Sequence, residues 1–267
     1  MKLIAALHGS DLGAALLSVP LHDSLAVLGA TRVQVNLDDE YVAPAMRFGP
    51  GTPITAVLSA WGPVDPGDFV DVVRHHDPGA DAWLVEERTP LTPPTVPEGV
   101  RADALANVAF LRRPEAMAPA DWRTAWLDHH TQVAIDTQGT FGYVQNPVVE
   151  ALTPGAADVA GIVEELFTTE AMTDQHAFYG SGGDDAELQR RFTALMESCA
   201  RFGAADGLGL EHRIERSDLV GPHRRQPQVL RHGGDQLVAE PAAVLLLRGE
   251  QALEHRGTLA VLRELGR

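Results

Sequence analysis

Cysteine is almost missing from this 267-residue chain, where Cys199 stands alone. No internal disulfide can form and a thiol-rich metal site is excluded, so the expected setting is a reducing one, the cytoplasm. Lysine is equally scarce. Lys2 is the only one, all other basic residues being arginine, and with no lysine in the body of the sequence Schiff-base catalysis is set aside. No apolar run approaches the roughly 20 residues of a membrane-spanning helix. The opening stretch, interrupted by Asp11 and Gly13, reads as a first strand rather than a signal peptide. Cations are outnumbered, 21 Lys and Arg against 37 Asp and Glu, and a net charge of −16 repels phosphate backbones and anionic lipid. Nucleic acid and membrane are therefore not the expected partners. The chain also lacks a Rossmann fingerprint, a Walker lysine, a GxSxG elbow and any HExxH-type ligand spacing. Neither a bound cofactor nor a metal is expected.

What is present is a normal share of core-forming residues, 45% hydrophobic. Pro90, Pro93, Pro94 and Pro97 fall within eight residues, too dense for a helix or a central strand. They mark an extended linker over 91–100, between a first unit at 1–90 and a second at 101–220, with an extension at 221–267. In the first unit strands are predicted at 2–7, 31–37, 54–61 and 82–86. A helical stretch at 12–28 is kinked or divided by Pro20, and a second helix covers 65–76, with Asp65 as N-cap and Pro66 opening the first turn. In the second unit the strands fall at 108–111, 140–149, 158–167 and 208–214, and the helices at 119–133 and 170–200, the latter broken at 180–183. Each unit reads as βαββαβ, the split order of a ferredoxin-like fold. A faint repeat aligns 29–36 with 139–146, keeping Gly29 with Gly139 and Asn36 with Asn146, and aligns 56–61 with 162–167. The extension carries a further predicted helix at 242–265, either a dimerisation helix or a dispensable tail.

The second unit resembles the EthD family. Val108-Ala109-Phe110-Leu111-Arg112-Arg113-Pro114 matches on the first strand, and Asp121-Trp122-Arg123-Thr124-Ala125-Trp126-Leu127-Asp128-His129-His130 on the helix. Tyr143-Val144-Gln145-Asn146 and Val163-Glu164-Glu165-Leu166-Phe167 follow on the next two strands. The first unit resembles a diverged copy that keeps Asn36 and the Trp61 strand but lacks the tryptophan–histidine helix. Pro147 stands where the family often has histidine. The resemblance implies α+β architecture of the dimeric α/β-barrel type, made here within one chain: two four-stranded sheets face to face, helices outside and a ligand-sized cavity between. It also implies a link to oxidative degradation, with structural relatives among monooxygenases and cyclases that hold no cofactor.

Trp126 and His130 stand four apart and share a helix face; His130 is the candidate acid/base, its ordinary pKa being about 6.5. Core tryptophan and a histidine closing a structural network is the alternative. His129 points about 100° away from His130, so the two cannot chelate one metal. Tyr143 and Gln145 face one side of their strand and Asn146 the other. Of Glu164 and Glu165 one must point inward, where a carboxyl has a raised pKa or pairs with Arg112 or Arg113. The candidate catalytic residues are therefore His130 and Glu165, and the candidate substrate-binding residues Trp126, Tyr143, Asn146 and Phe167. Gly180-Ser181-Gly182-Gly183-Asp184 follows a helix rather than a strand and reads as a loop. The leading expectation is an oxidoreductase-, cyclase- or dehydratase-type enzyme for a small hydrophobic or aromatic molecule. A non-catalytic binding or delivery protein, and an oligomerisation module with a solid core, are the alternatives.

Overall fold

The computed structural model describes residues 1–45, 53–204, 243–247 and 260–264. Strand β1 (Lys2–Leu7) is followed by two short helices, α1 (Gly13–Leu16) and α2 (Val19–Val27), then β2 (Arg32–Leu37), β3 (Ala56–Trp61), α3 (Pro66–His76) and β4 (Asp81–Val85). The division expected at Pro20 falls earlier, at Leu17 and Ser18. Ser18 caps α2 by accepting from the Leu21 amide, and Pro20 sits inside the first turn, where its missing N–H costs nothing. Helix α3 starts as the sequence indicates: the Asp65 carboxylate accepts from the amides of Gly67 (2.8 Å) and Asp68 (3.2 Å). Arg74 lies in its last turn, where a cation is favourable at a helix C-terminus.

Beyond β4 the proline-rich stretch is flanked by two strands, β5 (Arg88–Leu91) and β6 (Val100–Arg101). The second half comprises β7 (Leu105–Arg112), α4 (Pro119–Arg123), a π-helical segment (Thr124–His130), α5 (Thr131–Thr137), β8 (Gly142–Ala151), β9 (Val159–Phe167), α6 (Gln175–Tyr179) and α7 (Asp185–Ala200). The strand expected at 208–214 lies outside the described residues. Within 242–265 a helix was expected, but the described parts are strands, β10 (Ala243–Leu247) and β11 (Ala260–Glu264). Apolar runs such as Ala-Val-Leu-Leu-Leu carry no period that separates a helix from a strand, and pairing decides: β10 lies antiparallel on β7 and β11 on β2.

All described strands join one antiparallel ribbon in the order β10-β7-β9-β8-β4-β1-β3-β2-β11-β6, with β5 also on β8. The fold is mixed α+β, and the ribbon curls into a half-barrel because its two parts pack inner face to inner face. Ile4, Val57 and Trp83 from one part meet Val108, Phe110 and Ile162 from the other in a single apolar cluster. Helices α1, α2 and α3 cover the outer face of the first part through Leu16, Leu25 and Phe69. Helices α4, α5, α7 and the π segment cover that of the second, through Trp122, Trp126 and Leu195. Strand β8 is the hinge of the ribbon. It pairs with β9 from Gly142 to Pro147 and with β4 from Val148 to Ala151. Pro147, having no N–H to give, sits where the strand passes from one partner to the other. Among the described residues no helix is long and apolar enough to cross a membrane.

Candidate functional site

Glu164 and Glu165 are neighbours on β9, so they leave the sheet on opposite faces, and the structure buries both. The expected arginine partners are not used. Glu164 enters the space between the two parts of the ribbon, where Lys2 Nζ lies 2.5 Å from its Oε1. Gln34 Nε2 donates to Oε2 and Asn146 Nδ2 to Oε1, each at 2.9 Å. Lys2 also reaches Glu87 at 3.0 Å. The single lysine, second in the sequence, is thus interior in space, only 2% exposed. It is paired with two carboxylates, Glu87 and Glu164, that occupy its amino group. Burial pushes the Glu87 carboxyl up, but the charges of Lys2 and Arg32 and the Trp61 indole together hold it below the ordinary range. Asn36 Nδ2, Ser59 Oγ and Asn146 Oδ1 in this layer have no hydrogen-bond partner among the described residues.

Glu165 turns the other way, under the helices of the second half. Its register partners are Asn107 on β7 and Tyr143 on β8, three residues abreast across the sheet. Asn107 Nδ2 donates to Oε2 at 2.7 Å. Gln138, with its amide nitrogen turned to the carboxyl, donates to Oε1 at 2.9 Å. No cation pairs with Glu165 among the described residues, and burial raises its pKa to about 7 despite the two amide donors. Other acids crowd the same layer. Burial, and then the Glu165 charge, push Cys199 up to about 12. Burial, followed by the Glu165 and Cys199 charges, raises Tyr143 and Tyr179 as well.

Trp126 and His130 belong to this layer too, but not on an α-helix. The seven residues Thr124–His130 form a π-helical segment, a rare arrangement that occurs mostly as a bulge inside an α-helix and is frequent at functional sites. His130 Nδ1 lies 3.0 Å from Ser198 Oγ, its ring meets Phe202 edge-on at 4.8 Å, and burial lowers its pKa to about 4. Trp126 packs closely on the backbone of β9: a Cβ on Gly161 would stand 2.4 Å from its ring. Gly161→Ala is therefore expected to destabilise the protein by about 1–3 kcal/mol by displacing that ring. Urea unfolding with tryptophan fluorescence as the probe measures it, and an unchanged midpoint would show the ring free to move. Trp126 Nε1, Gln145 Oε1 and Asn107 Oδ1 are buried without a hydrogen-bond partner among the described residues. The Trp126 indole and the Gln145 amide do lie near enough to the Tyr143 hydroxyl to favour its ionised form slightly. Gln145 Nε2 itself donates to Thr131 Oγ1 at 2.9 Å.

The six residues singled out in the sequence thus divide. His130, Glu165, Trp126 and Tyr143 share the layer between sheet and helices, where the helical spacing and strand parity of the sequence point. Asn146 faces the opposite layer with Glu164. Phe167, the last residue of β9, is buried and stacks on Phe178 of α6 at 4.5 Å. Lys2, Asn107, Gln138, Tyr179 and Ser198 carried no sequence signal, because each becomes a neighbour of the carboxylates or the histidine only through tertiary pairing. Two open surface grooves are described, one along α7 at Ala186, Arg190 and Thr193, the other at Pro66, Asp71 and Leu152. Neither is lined by Glu165, His130 or residues of the inter-sheet cluster. Among the described residues no group of three or more His, Cys, Asp or Glu is placed to hold a metal.

No family model matches the sequence, and no curated protein matches it. Among solved structures, a protein from Lactobacillus acidophilus NCFM provisionally called a monooxygenase has 10% identity and a TM-score of 0.38, over 72% of this chain and 85% of that one. An anthrone oxidase-like protein has 11% identity and a TM-score of 0.45, over 76% and 84% of the two chains. At these scores nothing about activity follows from either likeness.

Proposed function

We propose that the protein is a proton-transfer enzyme for a small hydrophobic or aromatic molecule, with Glu165 as its acid and base. The observation that carries this is the Glu165 carboxyl itself. It is buried with no cation beside it among the described residues, held on both oxygens by amides, and poised at about pH 7, where a carboxylate both takes and returns protons. A purely structural side chain here would be cheaper as glutamine. Oxygenation, cyclisation and dehydration of such molecules share one early step, loss of a proton from carbon or oxygen, and that is the step assigned to Glu165. His130, with its pKa near 4, stays neutral at pH 7 and orients rather than ionises. Trp126 Nε1, Gln145 Oε1 and Asn107 Oδ1 would supply the polar contacts, and α7 must move aside to admit substrate.

The same proposal includes two EthD-like copies in one chain. The strand order β4-β1-β3-β2 recurs as β10-β7-β9-β8, and Asn36 and Asn146, aligned in the faint repeat, both belong to the layer between the sheets. The second reading, a binding protein or structural module without turnover, is favoured by the apolar filling between the sheets, Trp83 and Phe110 among it.

Exchange of acidic C–H protons into D2O, followed by NMR over a panel of small aromatic and aliphatic ketones and phenols, separates the readings. The enzyme reading expects catalysed exchange with an inflection near pH 7, lost in Glu165→Gln while binding, followed by tryptophan fluorescence, is kept. Binding with no exchange in either protein would leave the second reading standing.

A further inference from the structure

Between α6 and α7 runs Gly180-Ser181-Gly182-Gly183-Asp184, a segment that the proton-transfer reading does not use. Gly180 ends α6 with φ of 64°, and Gly182 and Gly183 follow at 63° and 87°, a region that side chains rarely enter. The Ser181 amide donates to the His176 carbonyl at 3.0 Å, the closing bond of a helix C-terminus. This closure brings side chains 176 and 181 together, and an apolar pair commonly fills that place. Here the pair is polar. Ser181 Oγ lies 2.7 Å from His176 Nδ1, and the opposite ring nitrogen, Nε2, lies 3.3 Å from the Asp185 carboxylate. One tautomer serves both contacts: a proton on Nε2 faces Asp185 and leaves the Nδ1 lone pair to accept from the serine hydroxyl.

We propose that Ser181, His176 and Asp185 act as nucleophile, base and orienting group in the hydrolysis of small esters. Ser181 Oγ adds to the ester carbonyl carbon as its proton passes to His176 Nδ1. The adduct collapses with cleavage of the carbon–oxygen bond to the alcohol, which leaves with the proton from His176. Water then attacks the acyl-serine, giving one proton to His176; the carboxylic acid departs as Ser181 recovers its hydroxyl. Charge on the carbonyl oxygen falls to the amides of Gly182 and Gly183, which make no hydrogen bond among the described residues. Gly182 directly follows the nucleophile, the place from which serine hydrolases draw an oxyanion donor. A Cβ on either glycine would meet no atom within 4 Å, so an ester reaches the loop from its open side, with Ser181 at 7% exposure beneath. Asp185 is 97% exposed on its side chain, so solvent screens it and its contribution is small.

The test is hydrolysis of p-nitrophenyl acetate together with labelling by a fluorophosphonate, the labelled residue being identified by peptide mass spectrometry. The full chain is expected to hydrolyse the ester above the buffer rate and to carry the label on Ser181. Ser181→Ala, with an unchanged thermal unfolding midpoint, is expected to lose both. His176→Gln is expected to lose on the order of a hundredfold in rate, and Asp185→Asn no more than about fivefold. Hydrolysis by Ser181→Ala at the wild-type rate, as attack by the imidazole alone would give, overturns the proposal. So does a label absent from Ser181.

Discussion

Lys2→Met is expected to destabilise the protein by about 3–5 kcal/mol, the usual consequence of removing one partner of a buried ion pair. Methionine keeps the length and the apolar stem, so the loss reports the charge and not the packing. Without the ammonium, Glu164 keeps only the Gln34 and Asn146 amides and remains an uncompensated buried carboxylate. Glu87, less buried, loses one cation and keeps the Trp61 indole at 3.0 Å. For a chain of this size the thermal midpoint is expected to fall by on the order of 10 °C. The double variant Lys2→Met with Glu164→Gln is expected to recover most of that loss, because the charge left stranded in the single variant is then gone. Denaturant unfolding of the four proteins gives the coupling energy. A cycle in which the two losses simply add would mean that the lysine does not hold the two parts of the ribbon together.

The second large effect is in the pH dependence of stability. Burial raises Glu165 from 4.5 to about 7 and lowers His130 from 6.5 to about 4, each change worth about 3 kcal/mol. The signs oppose. For Glu165 the folded state holds its proton longer than the unfolded chain, so its contribution is complete below pH 4.5 and is lost as pH rises through 7. For His130 the folded state takes up its proton later, so its contribution is complete above pH 6.5 and is lost as pH falls through 4. Between about pH 4.5 and 6.5 the two nearly cancel, and the wild type is expected to be almost level there as far as this layer contributes. Each single variant exposes the other slope. Glu165→Gln is expected to lose stability on acidification, by up to about 1.4 kcal/mol per pH unit. His130→Asn, which keeps an acceptor toward Ser198, is expected to gain stability over the same range. Urea titrations at intervals from pH 4 to 8 read both slopes, and two variants with parallel profiles would show that these groups are not buried as described.

Local structure was legible wherever its cause is local. Asp65 and Pro66 announce α3 because a cap acts within one turn, and β1, β2 and β3 declare themselves through apolar runs bounded by glycine and polar turns. The helix carrying Trp126 and His130 was legible as a helix but not as a π-helical segment, since nothing in the spacing alone selects a wider turn. The reading of 242–265 as helical failed because a short apolar run takes its form from whatever edge it meets, and β7 and β2 present edges.

The same division holds for the chemistry. Strand parity alone put Tyr143 opposite in direction to Asn146, and Glu164 opposite to Glu165, since successive side chains on a strand must diverge. What covers each face is a matter of chain path. Only tertiary structure brought Lys2 to Glu164 across 162 residues and gave Glu165 two amides, with no cation beside it among the described residues. The lysine that appeared marginal in the sequence became the buried link between the two parts of the ribbon. A carboxyl pKa follows desolvation and neighbouring charge, and both are set by which layers meet.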